Sequence, residues 1–516
     1  MKRFARWAAL GLLLSLLLLC GCQQVAYQPM DWQEAELPAP PETRMDAPNT
    51  DSVPVRTLDV ELYMRSADGA MLMPVSTALR VDYTQDAAQV LMEQLLAAEE
   101  EGLVNPVPAG TRLLSVEHTN RTVTVDLSID AYNVDGADDL LWMDTAIART
   151  LGTLENVDYV NLLIGGRKYS LDGLTMGAMP VQSANATLLW AQSRTEAEYF
   201  AQTDGSYAID RTAILYYPAV SGGNLLPVAA PVRFSAENAV EVLLESLTEL
   251  PEGVHGVRAA FDVLPEFEQH TVVTEDGRRV IKIDFAEGSW SRIAQKDAGT
   301  TCAAAALTLI SVVPEIDGVV FCADDMLITE YEIDGERFVP EMGVLTREGL
   351  RSRIGAAVDL YYGSPAGNAL SRVTRVLSPM VEHYPRMLLG MLMEGPAAGD
   401  EAVSAIPEGI STEDVLGISL SDGVMQVNLS ANFYRLCQPL SGDAERKLVY
   451  SIVNTLCNLD SVNAVQFFVE GGQAEVLSES MYLHVPLMAN PGLVIGDQPE
   501  ETAAPDADPA KEEENA

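Results

Sequence analysis

The chain has 516 residues, 48% of them apolar, which is enough length and hydrophobic content for about three or four folded domains. Its 32 Lys and Arg residues stand against 75 Asp and Glu residues, a formal net charge of −43. Nucleic-acid binding needs clustered basic side chains, and the lysines here are scattered, so a nucleic-acid partner is excluded. Six cysteines in so long a chain also exclude a disulfide-based scaffold.

The amino terminus has the layout of an export signal. Three basic residues lie within the first six positions, and an apolar run, residues 7–19, follows them. The run ends in Leu19-Cys20-Gly21-Cys22, which resembles the lipoprotein signal of bacteria. The resemblance implies cleavage between Gly21 and Cys22, acyl chains such as palmitate on Cys22, and a chain tethered to the extracytoplasmic face of the membrane. An uncleaved signal anchor, or cleavage elsewhere that leaves Cys22 a plain thiol, are the alternatives.

Two polar segments flank the central part of the chain. After the signal peptide, residues 1–21, comes a proline-rich acidic linker, residues 22–56, which is typical of an extended and semi-rigid spacer. Residues 497–516 are acidic, lack apolar periodicity, and predict a disordered tail.

Between linker and tail, three features recur in the same order about every 145–155 residues. Each copy has a short first strand, a later strand with a polar end, and a helix that leads into a closing strand. The first strands are residues 60–63, 213–216 and 358–361. The later strands are residues 123–128, 281–286 and 425–430. The sequence therefore predicts three modules, residues 57–183, 209–345 and 355–490.

Each module also contains an amphipathic helix after its first strands, with apolar residues at helical spacing. The predicted order is strand, helix, strand, strand, helix, strand. Alternating apolar residues such as Val123, Val125 and Leu127 indicate strands with one buried face. We therefore expect an α+β fold of three small tandem β-α-β-β-α-β modules, with two helices packed on one face of each sheet.

These motifs resemble the GerMN domain of GerM-like sporulation and spore germination lipoproteins, here in three tandem copies. In the first module the matching residues are 60–63, 107–112, 123–128 and 150–166, and in the third they are 393–396, 406–409, 427–430 and 455–472. The second module is divergent: Glu252-Gly253 lacks a following proline, and residues 322–324 replace the glycine end. The resemblance implies a fold similar to ring-building modules, which associate side by side through protein–protein contacts.

The search for reactive groups finds no catalytic, metal-binding or cofactor-binding constellation. The five histidines, at positions 118, 255, 270, 383 and 484, occupy no repeated position, and we interpret them as surface or hydrogen-bonded residues. The adjacent pairs Asp138-Asp139 and Asp324-Asp325 do not suit glycan hydrolysis, because neighbouring side chains of a strand point to opposite faces. The repeated Asp126, Asp284 and Asn428 are expected to hydrogen-bond local turns, since Asn cannot act as an acid or base.

The remaining cysteines could form disulfides or stay as free thiols. Cys302 and Cys322, and likewise Cys437 and Cys457, are each 20 residues apart, but the pairs do not coincide when the modules are aligned. Export permits disulfides, whereas buried free thiols behave as small apolar groups, and we favour free thiols. The tyrosine pairs, residues 216–217 and 361–362, are expected to pack in the core rather than form a contact surface.

The sequence thus predicts a lipid-anchored, extracytoplasmic and non-enzymatic protein that acts in sporulation or germination. Its expected partners are the membrane, through the lipid on Cys22, and proteins, either a membrane sporulation complex or further copies of itself. An enzyme acting on the peptidoglycan wall and a ligand-binding lipoprotein with a pocket between two modules are the alternatives.

Overall fold

The computed structural model describes residues 49–51, 55–82, 85–171, 174–192, 194, 209–275, 277–286, 288–290, 297–323, 326–378, 384–460, 462–478 and 480–495. The predicted signal peptide, nearly all of the predicted linker and the predicted tail lie outside these residues. Within them, no helix has both the length and the apolar character that crossing a bilayer demands.

Three successive segments repeat one order of elements: a hairpin, a helix, a second hairpin, a second helix and a closing strand. Module 1 contains β1 (Val55–Ser66), β2 (Leu72–Asp82), α1 (Ala87–Leu96), β3 (Leu113–Thr119), β4 (Thr122–Leu127), α2 (Ala137–Leu151) and β5 (Tyr159–Ile164). Module 2 contains β6 (Ile209–Pro218), β7 (Leu225–Phe234), α3 (Ala239–Glu245), β8 (Phe267–Glu275), β9 (Arg278–Phe285), α4 (Ala298–Val312) and β10 (Gly318–Ala323). Module 3 contains β11 (Ala356–Gly363), β12 (Leu370–Leu377), α5 (Tyr384–Glu394), β13 (Val415–Ser421), β14 (Val424–Leu429), α6 (Gly442–Leu456) and β15 (Ala464–Val469).

Shorter elements connect or extend these. The short strands are Leu103–Val104, Arg167–Lys168, Ser170–Leu171, Leu174–Thr175, Met179–Pro180, Met326–Leu327, Tyr331–Ile333, Glu336–Phe338, Leu345–Thr346 and Gly472–Gln473. The short helices are Arg347–Leu350 and Ala431–Cys437, and the single 3₁₀ turns are Ile129–Tyr132, Val181–Ser183, Ser246–Thr248, Glu341–Gly343, Arg351–Arg353, Thr412–Asp414 and Pro491–Leu493.

The α+β class is confirmed, and each module has one strand more than the predicted order. The first strand of each module pairs with a second antiparallel strand: β1 with β2, β6 with β7, and β11 with β12. The second strand is hard to recognise in module 2 because Pro227 and Pro231 interrupt it. Proline is tolerated there because, among the described residues, β7 forms a strand ladder only with β6, apart from a single bridge at Leu225. The N–H groups on its other side therefore need no strand partner.

The main sheet has the same pairing in all three modules. The second hairpin is antiparallel, and its second strand pairs in parallel with the closing strand. A parallel pair needs a long crossover, which α2, α4 and α6 supply. A bulge interrupts the antiparallel pairing near the same point in each module, between Leu113 and Ser115, Phe267 and Gln269, and Val415 and Gly417. Shared irregularities of this kind indicate one building block present three times.

A hydrogen bond between the first strand and the second helix also recurs. The backbone N–H of Tyr63 donates to Thr150 Oγ1 at 3.0 Å in module 1. The equivalent bonds run from Tyr216 to Thr308 at 2.9 Å and from Tyr361 to Thr455 at 3.1 Å. In each module a helix threonine therefore satisfies a strand N–H that has no strand beside it.

Each module has its own apolar core, formed by its helices, its main sheet and its first hairpin. All fifteen residues of α4 are buried, because the small hairpin Tyr331–Ile333/Glu336–Phe338 packs on its remaining side. A side chain on Gly299 would place its Cβ 2.3 Å from the Glu332 carbonyl oxygen, so this close packing requires glycine. Tyr216, Tyr217 and Tyr362 are fully buried, which confirms their predicted place in the core.

Candidate functional site: the junctions between the modules

Modules 1 and 2 meet at a buried charged cluster centred on Arg347. This residue begins the short helix Arg347–Leu350, and its guanidinium forms an ion pair with Glu117 on β3 of module 1. The guanidinium also donates to Ser311 Oγ at 2.8 Å and to Tyr216 Oη at 3.0 Å, both in module 2. The Arg347 and Glu117 side chains are only 5% and 9% exposed, so water screens their attraction little.

The electrostatics of this cluster keep the Arg347 guanidinium charged. Burial alone would lower the pKa of Arg347, but the adjacent Glu117 carboxylate outweighs it and raises the pKa. Burial raises the pKa of Tyr216, so its hydroxyl stays protonated beside the guanidinium. A buried pair of this kind contributes little net stability compared with apolar side chains, but removing one partner strongly destabilises the fold because the other charge stays buried and unpaired. The cluster therefore acts mainly to fix how modules 1 and 2 are joined.

The same junction includes backbone pairing. Lys168, after β5 of module 1, forms a parallel bridge with Pro314 of module 2, and the Glu315 N–H donates to the Lys168 carbonyl at 2.9 Å. Beside it, Arg167 Nε lies 2.6 Å from Asp317 Oδ1. Main-chain bonds between modules leave little freedom for rotation, because both partners belong to ordered strands and turns.

Modules 2 and 3 are joined by a second set of main-chain bonds. Leu225 at the start of β7 forms a parallel bridge with Ile354, and the Gly355 N–H donates to the Leu225 carbonyl at 2.9 Å. Asn224 Nδ2 donates to the Val376 carbonyl at 3.0 Å. Ile354 and Val376 are both buried in the core of module 2, so this junction is continuous with that core.

Modules 1 and 3 also contact each other directly. The Asn120 side chain, in the β3–β4 turn, accepts a hydrogen bond of 2.7 Å from the Ala357 N–H of module 3. Asn156 Nδ2 donates to Asp460 Oδ1 at 3.0 Å. Each module therefore touches both of the others.

A short segment ahead of module 1, Asn49–Asp51, which we call the strap, binds module 3. Asp51 accepts two hydrogen bonds from Arg386, at 2.8 and 2.6 Å, and a third from the Ile418 N–H on β13 at 3.1 Å. Asn49 accepts a bond of 3.1 Å from Asn428 Nδ2. The predicted linker of residues 22–56 is therefore corrected at its end, because the strap is bound and β1 already begins at Val55.

The repeated polar residues serve turns in two of the three modules, as predicted. Asp126 Oδ1 accepts a hydrogen bond of 2.8 Å from the Gly166 N–H, and Asn428 Oδ1 accepts one of 2.9 Å from the Gly471 N–H. In module 2, where no such glycine follows, Asp284 instead lies 3.4 Å from Lys282 Nζ. Burial raises the pKa of Asp126.

The other candidate groups are dispersed. His118 Nδ1 lies 3.6 Å from Asp86 Oδ1 and His270 Nδ1 lies 3.2 Å from Glu241 Oε1, so each of these two histidines has a carboxylate beside it. His383 and the pair Asp324-Asp325 fall outside the described residues. The pair Asp138-Asp139 lies in the first turn of α2 and not on a strand, where Asp139 forms an ion pair with Arg65.

Among the described residues, the four cysteines at positions 302, 322, 437 and 457 are not joined in disulfides, which confirms the interpretation we favoured. Burial raises the pKa of Cys302, and it raises that of Cys437 to about 12. Both thiols are therefore protonated, unreactive packing groups at neutral pH. The predicted lipid site Cys22 and its neighbour Gly21 lie outside the described residues.

An open cleft of about 560 Å³ lies on module 1, lined by residues that include Asp59, Glu61, Thr77 and Thr153. It belongs to a single module, whereas the ligand-binding alternative predicts a pocket between two modules. Within the residue ranges that the structure describes, no three His, Cys, Asp or Glu side chains group as metal ligands would.

Sequence reasoning did not find the junction residues. Glu117 and Arg347 are 230 positions apart, and nothing in the local pattern around either one points to the other. It also missed a buried polar cluster in module 1, formed by Asp144, Asn161, Lys168 and Tyr169. The sequence offers one signal for this cluster: the chain contains few lysines, and one of them, Lys168, directly follows an apolar strand.

The fold and its junctions define a class of protein: an assembly of three like α+β modules joined into one compact unit. The family model "Germane: Sporulation and spore germination" matches residues 61–170 and 359–475, which are the main parts of modules 1 and 3. Over these two stretches, which together make up less than half of its length, the chain is GerM-like, and the description of the family connects it with sporulation and spore germination.

Two solved structures from Bacillus subtilis are similar to the chain. The tandem GerMN domains of the sporulation protein GerM show 17% identity and a TM-score of 0.24, covering 55% of this chain and 97% of that one. The first GerMN domain of the same protein shows 23% identity and a TM-score of 0.19, covering 25% of this chain and 96% of that one. These similarities carry no argument, and the likeness to GerM rests on the match to the family model. No curated protein matches the chain.

Proposed function

We propose that this chain is a lipid-anchored, non-enzymatic scaffold that acts outside the cytoplasm in sporulation or spore germination, through protein–protein contacts of its modules. The observation that carries the proposal is the set of three junctions. Buried charge and main-chain pairing hold the modules in fixed positions, so surfaces on different modules keep a constant spacing. A scaffold needs such constant spacing to align its partners.

Free strand edges offer surfaces for those contacts. β2 of module 1 and β8 of module 2 each end a sheet within the described part of the chain. An end strand presents N–H and C=O groups that a partner strand can bind. On β8, Val272 is 49% exposed, so this edge also offers apolar surface to a partner.

The anchor is supported by the sequence around Cys22 and is tested by fractionation. We expect Cys22→Ala to move the protein from the membrane fraction to the exported soluble fraction, because the acylated sulfur is lost. Cys20→Ala is the matched control, since it changes a cysteine two residues away and leaves the lipid site intact. Equal membrane retention of wild type and Cys22→Ala would contradict the anchor.

The scaffold role is tested by cross-linking in cells. A photo-reactive amino acid at Val272 is expected to give discrete adducts with a protein partner in sporulating or germinating cells, and none in vegetative cells. The same amino acid at Ile129, which is 71% exposed but lies outside the strand edges, is the control. Adducts at neither position, or release of soluble fragments from peptidoglycan by the purified protein, would overturn the proposal.

A further inference from the structure

Module 1 contains a lysine amine held against a side-chain amide in a dry environment. Lys168 Nζ lies 2.7 Å from Asn161 Oδ1, and the two residues are 0% and 1% exposed. Asn161 lies on β5, and Lys168 lies on the short strand that pairs back onto it. Both residues are therefore positioned by strand pairing and not by flexible loops.

The surroundings of this pair are buried and polar. Lys168 Nζ also donates to the carbonyl oxygens of Gly177, at 2.7 Å, and Leu162, at 3.4 Å. The ring of Tyr169 lies 5.5 Å from the amine, and the Tyr169 hydroxyl is 2.5 Å from Asp144 Oδ2. Asp144 is 2% exposed, and its carboxylate attracts the charged lysine.

Two polar atoms of this cluster have no hydrogen-bond partner among the described residues: Asn161 Nδ2 and Asp144 Oδ1. A buried amide nitrogen without a hydrogen-bond partner costs free energy. Its departure would remove that cost, and no hydrogen bond that the structure shows would be lost.

We propose that Lys168 and Asn161 form an intramolecular isopeptide bond in the folded protein. The Lys168 amine attacks Asn161 Cγ, a carbon–nitrogen bond forms, and the bond from Cγ to Nδ2 breaks. Nδ2 leaves as ammonia, taking the proton that the amine gives up. The step exchanges one amide for another, so it needs no oxidant, reductant or co-reactant.

The physical conditions favour this reaction over hydrolysis. Burial lowers the pKa of Lys168 to about 8, so part of the amine is neutral and nucleophilic near neutral pH. Burial also raises the pKa of Asp144, which weakens the electrostatic attraction that favours the charged form of Lys168. The fixed contact raises the effective concentration of the amine by several orders of magnitude, and exclusion of water protects the product.

The bond would lock the part of module 1 that binds module 2. Lys168 itself accepts the main-chain bond from Glu315, and its neighbour Arg167 bonds Asp317. A covalent link from Lys168 back to β5 would hold this strand in place at the junction. The inference concerns covalent structure and does not depend on the proposed function.

Peptide mass mapping of the purified full-length chain tests the proposal directly. Trypsin cuts after Arg167 but not after a modified lysine. We therefore expect residues 150–167 joined to residues 168–194 in one branched species. Its mass is about 17 Da below the sum of the two peptides, because ammonia is lost. Module 3 has glutamines at the corresponding positions 466 and 473, so its peptides provide an internal linear control.

Two results would overturn the proposal. One is recovery of residues 150–167 and 169–194 as separate peptides of unmodified mass, which means that Lys168 serves only as a buried hydrogen-bond donor. The other is a loss of about 17 Da that persists in Lys168→Met, which assigns the loss to a reaction elsewhere, such as succinimide formation at another asparagine.

Discussion

Glu117→Gln tests the buried ion pair between modules 1 and 2. The substitution keeps the shape of the side chain and removes its charge, so Arg347 stays buried without its counter-ion. Arg347 retains its bonds to Ser311 and Tyr216. We therefore expect a cost near the lower end of the range for breaking a buried pair, about 3 kcal/mol.

Urea denaturation followed by tryptophan fluorescence and circular dichroism measures this cost. With a denaturant slope of about 2 kcal/mol per molar, 3 kcal/mol lowers the midpoint by about 1.5 M. Because the pair joins two modules, we also expect a single transition to separate into two, as each module unfolds independently. Replacing both residues, as in Glu117→Met/Arg347→Met, should restore most of the stability, since no charge then remains buried.

Glu348→Gln is the matched control. Glu348 follows Arg347 in the chain, is 79% exposed and pairs with Arg351 at the surface. We expect its replacement to change the free energy of unfolding by less than about 0.5 kcal/mol. If Glu117→Gln costs no more than Glu348→Gln, the buried pair does not hold the modules together and the reasoning is refuted.

Three further predictions concern the repeated bond, the strap and a buried carboxylate. Thr308→Val leaves the Tyr216 N–H without a partner and should cost about 1–3 kcal/mol in urea denaturation; an unchanged midpoint would contradict it. Asp51→Asn weakens the strap, so hydrogen exchange at the Ile418 amide should accelerate, and unchanged exchange would show that the strap is not bound in solution. Burial alone would raise the pKa of Glu445, but hydrogen bonds to its carboxylate from residues 478 and 480 outweigh burial and lower the pKa. The ionised Glu445 carboxylate therefore stabilises the fold at neutral pH, and this stabilisation is lost as the pH falls through the pKa of the folded state. Glu445→Gln should therefore lose less stability between neutral and acidic pH than the wild type. Equal dependence of stability on pH in the two proteins would refute this.

The main strands could be predicted because their apolar side chains alternate along the chain, as Val123, Val125 and Leu127 do, and all three are 0% exposed. The expectation that only one face of such a strand is buried was wrong for β4, because Thr122, Thr124 and Asp126 on its other face are also buried. The second strand of each first hairpin could not be predicted as easily. It lies at the end of its sheet, where a proline such as Pro227 is tolerated and the usual strand signal is lost.

The junctions could not be predicted at all. Their bonds join residues far apart in the chain, such as Asn120 with Ala357, and a single asparagine in a turn has many possible partners. The strap is a similar case, because Asp51 lies in a proline-rich stretch whose composition indicates only an extended chain. Local patterns determine which elements form, whereas contacts between modules depend on shape and charge that only the folded chain brings together.

That the three modules form one rigid block is tested most directly by distance measurements between spin labels. Labels introduced through non-natural amino acids at Val104, Val272 and Tyr482 would report on modules 1, 2 and 3, since all three side chains are exposed. A rigid block predicts a single narrow distance distribution for every pair, broadened in Glu117→Gln for the pair on modules 1 and 2. Broad or multiple distributions in the wild-type protein would mean that the modules move independently, and would contradict a scaffold of fixed spacing.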